Sequence, residues 1–294
     1  MEKVKQNSFK LIGTVGGVNM ERKIRKTDGK AYISGNAEIN ATIDGKECSY
    51  EVSFYANEMT TDNKPSQLYK TYSELDQFIG KKVEINGSIR ENRFFSPKGG
   101  NMVSAQVLDG RFVKGVSSNT ADEATWELGG FVTSTLVEKK NKDEEVYRYD
   151  LMIAQSNYKE DNISVFTVHG DPEKTNIVKG LNTYQAGDTV ILRGVMLFTV
   201  TTEEVQVSEG GFGEPIVKTY TNKQKNWYVT GGSQPVQGEA AYTNTEITDF
   251  ISAYKSRDVQ LTEEAANKTT ASSFIEDAPV SAVSKPTTRQ TSLI

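Results

Sequence analysis

The chain is nearly devoid of histidine and cysteine, with one of each, His169 and Cys48, in 294 residues. A lone cysteine excludes an intramolecular disulfide, and one cysteine with one histidine cannot furnish the three or four ligands of a Cys/His zinc site. No metal and no other cofactor is expected. Catalysis of the Ser-His-Asp or Cys-His kind would have to run through His169, which sits in Val168-His169-Gly170-Asp171-Pro172 with no Gly-x-Ser-x-Gly turn to answer it. A turn histidine and a small core cysteine are the expected roles. Neither GxxxxGK followed by Ser or Thr nor a GxGxxG after a strand occurs, so no phosphate cradle for a nucleotide is expected. No apolar run approaches the roughly 18 to 20 residues of a membrane span. The segment Met1-Glu2-Lys3-Val4-Lys5-Gln6-Asn7 lacks the apolar stretch of a signal peptide. The chain is expected to avoid membranes and to stay in the compartment where it is made.

What is present is an internal repeat. Phe9-Lys10-Leu11-Ile12-Gly13-Thr14-Val15 returns as Trp126-Glu127-Leu128-Gly129-Gly130-Phe131-Val132 at an offset of 117. Ile79-Gly80-Lys81-Lys82-Val83-Glu84-Ile85-Asn86-Gly87 returns as Ala186-Gly187-Asp188-Thr189-Val190-Ile191-Leu192-Arg193-Gly194 at an offset of 107, the difference being absorbed by a shorter loop. In the first copy, period-two alternation predicts strands over Phe9 to Val15, Tyr32 to Ala41 and Cys48 to Tyr55, with Asp44-Gly45 as a hairpin turn. The spacing of Leu68, Tyr72, Leu75 and Ile79 then predicts a short amphipathic helix, and Lys82 to Ile89 and Met102 to Val113 return to strand. The second copy predicts strands at Trp126 to Leu136, Val146 to Ala154 and Ile163 to Val168. A helix capped by Asp171-Pro172 follows, then a strand over Thr189 to Thr201 and a fifth at Trp227 to Gly231.

Three strands, a helix and two strands, with Gly80-Lys81-Lys82-Val83-Glu84-Ile85-Asn86-Gly87 opening the fourth strand, resemble the OB-fold, a five-stranded Greek-key barrel. Two copies in tandem resemble the single-stranded-DNA-binding proteins built from paired OB domains, including those of bacteriophages. The resemblance implies a mainly β chain of two OB-like barrels, residues 1–118 and 119–235, each with one short helix. A short helix and a flexible tail occupy 236–294. It also implies a non-enzymatic protein of the cytoplasm, the host's if the chain is phage-encoded. Its partner would be single-stranded DNA, with RNA as the open alternative, together with replication or recombination proteins.

Charge and aromatics bear on that implication. The formal net charge is −5, yet residues 1–118 carry 18 Lys and Arg against 14 Asp and Glu, while 119–235 carry 11 against 17. The local field matters more to a polyanion than the net charge, so the basic first domain is the expected binder. Its positive charge falls in the two loops that flank an OB groove: Arg22, Lys23, Arg25, Lys26 and Lys30 in the first, and Arg90, Arg93 and Lys98 in the second. These would neutralise phosphates, while Phe94, Phe95, Tyr32 and Tyr55 would offer stacking faces to bases. Ordinary readings stand beside these: solvated loops, a hairpin-stabilising Phe94–Phe95 pair, and tyrosines that merely cover the barrel. In the second copy Lys218, Tyr220, Lys223, Lys225 and Trp227 interleave lysine with aromatics, suiting either strand contact or a plain basic hairpin. The first loop of that copy, Glu138 to Glu145, cancels its own charge, and its carboxylate pair Asp143 and Glu145 is expected to be solvated rather than catalytic. A structural or assembly module on the same fold, such as a virion component, is the competing function.

Beyond Gly238, Thr245 to Tyr254 reads as an amphipathic helix capped by Thr245, and a disordered Ser/Thr/Ala/Pro segment is expected from Asn267. Bacterial single-stranded-DNA-binding proteins recruit partners through an acidic tail ending in Pro-Phe. Here the end is Arg289-Gln290-Thr291-Ser292-Leu293-Ile294, and Phe274-Ile275-Glu276-Asp277 matches that motif only in part.

Overall fold

The computed structural model describes residues 3–96, 99–156, 163–207 and 216–273, with the backbone alone for 203–207, 216–220 and 268–273. The alternating segments of the first copy form β1 (Asn7–Ile24), β2 (Ala31–Ile43), β3 (Lys46–Asn57), β4 (Lys82–Ser96) and β5 (Asn101–Gly115). Their inward phase, including Leu11, Ile33, Ile39, Tyr50, Val52 and Ile85, is buried. The five strands pair in the cyclic order β1-β2-β3-β5-β4-β1, antiparallel throughout except for β3 with β5. The second copy supplies β6 (Glu123–Val132), β7 (Val137–Lys140), β8 (Val146–Ser156), β9 (Ile163–Gly170), β10 (Thr189–Val207) and β11 (Ile216–Gly232). These close the equivalent ring, β6-β8-β9-β11-β10-β6, with β9 and β11 parallel. This is the mainly β, OB-like fold that the element order leads one to expect.

Helix α1 (Gln67–Ser73) is capped by Ser66, whose Oγ accepts from Tyr69 N at 3.3 Å, and a 3-10 turn, Leu75–Phe78, continues it. Tyr72 and Leu75 are buried under it, whereas Ile79, expected on the same face, is half-exposed. Helix α2 (Thr175–Leu181) begins after Lys174, and Asp171 caps the preceding turn instead, its Oδ1 accepting from Glu173 N at 3.0 Å.

The repeated residues have repeated work. Gly80 and Gly187 turn the chain at φ of 77° and 98°, a region that costs little only for glycine. At Gly87 a Cβ would stand 2.6 Å from the Phe9 ring, and at Gly194 2.5 Å from the Trp126 ring. Each glycine thus makes room for the aromatic of its own copy. Those aromatics meet: β1 and β6 pair antiparallel over Asn7 to Ile12 with Phe9 opposite Trp126. Because equivalent residues face each other, a local twofold relates the rings.

The same symmetry exchanges arms. The β4–β5 hairpin reaches past its ring to β9, where Glu91 Oε2 accepts from Val165 N and Gln106 Oε1 from Thr167 N, both at 2.9 Å. The β10–β11 hairpin reaches to β3, with Thr199 paired to Cys48 and the Tyr50 hydroxyl donating to Met196 O at 2.8 Å. Burial holds the Tyr50 hydroxyl well above the usual tyrosine range.

Other features differ from the sequence reading as well: β4 runs through Ser96 and β5 begins at Asn101, so the second charged loop, Arg90 to Gly100, is mostly strand. Strand β1 runs through Ile24, so the first part of the charged first loop is strand and the turn is confined to residues 25–30. Strand β7 stands where a loop is expected, and β11 begins at Ile216 rather than Trp227. Helix α3 (Asn244–Ser273) continues past Asn267, and residues 274–294 lie outside the described residues. Its cap is Thr243, not Thr245: Thr243 N donates to Glu246 Oε2 at 2.7 Å and Glu246 N donates to Thr243 Oγ1 at 3.3 Å, a capping box. Helix α3 lies on the second ring, with Ile247, Phe250, Ile251 and Tyr254 packed on the cluster of Phe131, Ala154, Ile163 and Tyr242. No helix among the described residues is long and apolar enough to cross a membrane.

Candidate nucleic-acid interface

The outward phase of β2 and β3 is polar in the first ring. Tyr32, Ser34, Asn36 and Glu38 on β2 face Asn57, Tyr55, Ser53 and Glu51 on β3 in direct register. This outer face is the floor of an open groove of about 580 Å³ lined by Ser34, Asn36, Ser53, Tyr55, Arg90 and Arg111, among others. Arg111, which sequence reasoning passed over, is the extra residue of a bulge: Asn86 pairs with Phe112 and Gly87 with Gly110. A bulge re-aims the side chain it inserts, and no composition or spacing signal announces that.

At one end of the floor the rings of Tyr32 and Tyr55 lie 5.4 Å apart, with Tyr55 52% exposed. Arg25 in the β1–β2 turn donates to Tyr55 Oη at 2.6 Å, to Asn57 Oδ1 at 2.8 Å and to Asp28 Oδ2 at 3.0 Å. The hydrogen bond to the Tyr55 hydroxyl, followed by the Asp28 charge, raises the Arg25 pKa above its usual value. The turn is therefore tied to the tyrosine pair. Lys23 stands directly across from Tyr32, with its Nζ 2.7 Å from the Glu21 carboxylate. Arg22 lies on the opposite face of the same ribbon, while Lys26 and Lys30 are exposed in the turn. At the other side, Arg90 of β4 meets Asp109 at 2.7 Å.

Alternation along β4 splits the remaining candidates. Phe94, 44% exposed, lies on the face that carries Arg90, whereas Arg93 and Phe95 lie on the other. Arg93 is a correction. Its guanidinium is clasped by both oxygens of Asp258 at 2.6 Å and sits 4.4 Å from the Tyr254 ring centroid, with its side chain 16% exposed. A cation so engaged holds α3 in place and leaves little for a phosphate. Phe95 is half-buried on that same face.

Trp227 is a second correction: it is 3% exposed, its ring 5.1 Å from Phe198 and 6.4 Å from Trp126, and belongs to the core. Lys223 and Lys225 are exposed on β11. Lys218 and Tyr220 lie on β11 with side chains outside the described residues, and Lys98 is outside them altogether. His169 is buried in β9 rather than free in a turn, its Nδ1 accepting from Trp227 N at 3.0 Å. Burial, then the Arg148 charge, lowers its pKa to about 3. Although its Nε2 is 3.8 Å from Asp150, that carboxylate is already met by Arg148 at 2.7 Å, so the imidazole stays neutral. Cys48 is buried, and no group of His, Cys, Asp and Glu among the described residues is placed to hold a metal ion.

The architecture has counterparts among solved structures. The wild-type single-stranded DNA binding protein from Thermus aquaticus superposes with a TM-score of 0.51 at 13% identity, covering 82% of this chain and 98% of that one. A deletion mutant of that protein gives 0.50 at 12% identity, covering 80% and 97%. Likeness at this identity is a likeness of fold. No curated protein matches the sequence. Residues 5–269 match the protein family described as YorF.

Proposed function

Because the chain belongs to the YorF family, a description that names no activity, its function has to be read from the groove, and we propose that it binds single-stranded DNA with little regard to sequence. The observation that carries this reading is the Tyr32–Tyr55 pair held open to solvent by Arg25 at the mouth of a polar groove walled by Arg90 and Arg111. Stacking faces accept any unpaired base, and guanidinium groups accept the phosphates between bases. A duplex, whose bases already stack on each other, gains little from the tyrosines. That the similar Thermus aquaticus protein is named for single-stranded DNA binding supports the same reading.

The protein acts without catalysis, by coating strand in replication or recombination. Arg25 has to exchange its Asp28 contact for a phosphate, Lys23 its Glu21 contact and Arg90 its Asp109 contact, whereas Lys26, Lys30 and Arg111 reach the backbone from an exposed position. The test is a fluorescence-anisotropy titration of the full chain with labelled oligo-dT, oligo-rU and duplex DNA at two salt concentrations. Oligo-dT is expected to bind more tightly than duplex, with log K falling by about 0.7 per neutralised phosphate for each unit of log salt. Equal binding of duplex, or none of either, would leave the structural or assembly module as the better reading.

A further inference from the structure

The outer face of the first ring does not end at the groove. Where the β10–β11 arm stands beside β3, a second hollow of about 450 Å³ has Asn36, Glu38, Ser49 and Glu51 along its floor and Lys223 and Lys225 of the second ring as a wall. Asn36 lines this hollow and the groove beside Arg90 alike, so the two are contiguous. The floor is internally bonded: Ser49 Oγ donates to Glu38 at 2.7 Å, Ser53 Oγ donates to Asn36 Oδ1 at 2.9 Å, and Asn36 Nδ2 donates to Glu51. Among the described residues neither lysine is paired with a carboxylate, and Lys225 Nζ rests 5.7 Å from the buried Phe198 ring.

The signs of charge order whatever lies there. Glu38 and Glu51 repel phosphates from the floor, while Arg90 and Arg111 at one side and Lys223 and Lys225 at the other attract them. Uncharged bases then fall over Asn36, Ser49 and Ser53. In the second ring α3 covers the outward face of β8 and β9 near their connection, at Ala154 and Ile163.

We infer that one single strand occupies both hollows at once, its phosphates on Arg90 and Arg111 at one side and on Lys223 and Lys225 at the other, so that the second ring completes the first ring's site. This rests on the single-strand reading above. The test uses the full chain and an oligo-dT of about 20 nucleotides, longer than the roughly 4 to 16 that one OB fold occupies. Stoichiometry, salt dependence and melting temperature are measured for the wild type, for Lys223→Ala with Lys225→Ala, and for Lys223→Gln with Lys225→Gln, which keeps both stems.

One strand per chain is expected throughout, with unchanged melting and a salt slope shallower by about 1.4 in both variants, at about 0.7 per phosphate. An unchanged slope in the variants overturns the inference and leaves the first ring's groove intact. Two strands per wild-type chain, one of them lost in the variants, also overturns it in favour of separate sites. If the wild type does not bind oligo-dT, the single-strand reading itself fails and takes this inference with it.

Discussion

Tyr55 and Trp227 are both aromatic residues in polar strand segments, and their surroundings give them opposite consequences. Tyr55→Ala is expected to cost about 1 to 3 kcal/mol of single-strand affinity with little change in melting, since half of the side chain is already in solvent. Trp227→Ala removes a ring packed on Trp126 and Phe198 and is expected to cost about 3 to 5 kcal/mol of folding stability. Thermal denaturation beside oligo-dT titration of each variant separates the two. The phase of Tyr55 was legible, because Phe54 and Ala56 on either side are apolar and buried. That of Trp227 was not. Lys223, Lys225, Trp227 and Val229 share one face of β11, yet the first two are exposed and the last two buried. Alternation reports which face a residue is on but not where the strand leaves its ring, and beyond that point the inward face becomes an arm's surface.

The same limit governs the elements. Ile89, Glu91 and Arg93 share the inward face of β4, and only Ile89 is in the first ring's core; the other two meet α3 and β9. The apolar spacing of Ile247, Phe250, Ile251 and Tyr254 announced the start of α3 and stopped where the contacts turn polar. From there Asp258 and Thr262 continue the face at steps of four, reaching Arg93 and Met102. A hydropathy pattern does not register a helix docked by ion pairs. Arg93→Ala should therefore lower folding stability by about 1 to 3 kcal/mol while leaving the salt slope of single-strand binding unchanged. Arg90→Ala, on the groove face, should show the reverse, and a slope that falls with Arg93→Ala would return that residue to the phosphate track.

At the scale of the molecule, the repeat and its glycines were legible because they mark close approaches that recur in both rings, whereas the arm exchange has no local sequence pattern. Each ring closes on its own hydrogen bonds, so residues 1–118 contain every strand of the first. That fragment is expected to fold, with a β-type circular dichroism spectrum, and to melt below the full chain because Phe9 loses Trp126 across the ladder and Tyr50 loses Met196 on the arm. The local twofold then has a consequence for the isolated piece. An antiparallel ladder centred on Phe9 opposite Trp126 is a self-complementary edge, and without β6 the strand from Asn7 to Ile12 presents that edge to an identical neighbour. The fragment should form an isologous homodimer, Phe9 against Phe9, weaker than the covalent original because Lys10 no longer finds Glu123 at 2.6 Å. Sedimentation over a range of concentrations would reveal the dimer, and a fragment that stays monomeric at every concentration would mean that the edge needs the second ring's own residues to hold a partner.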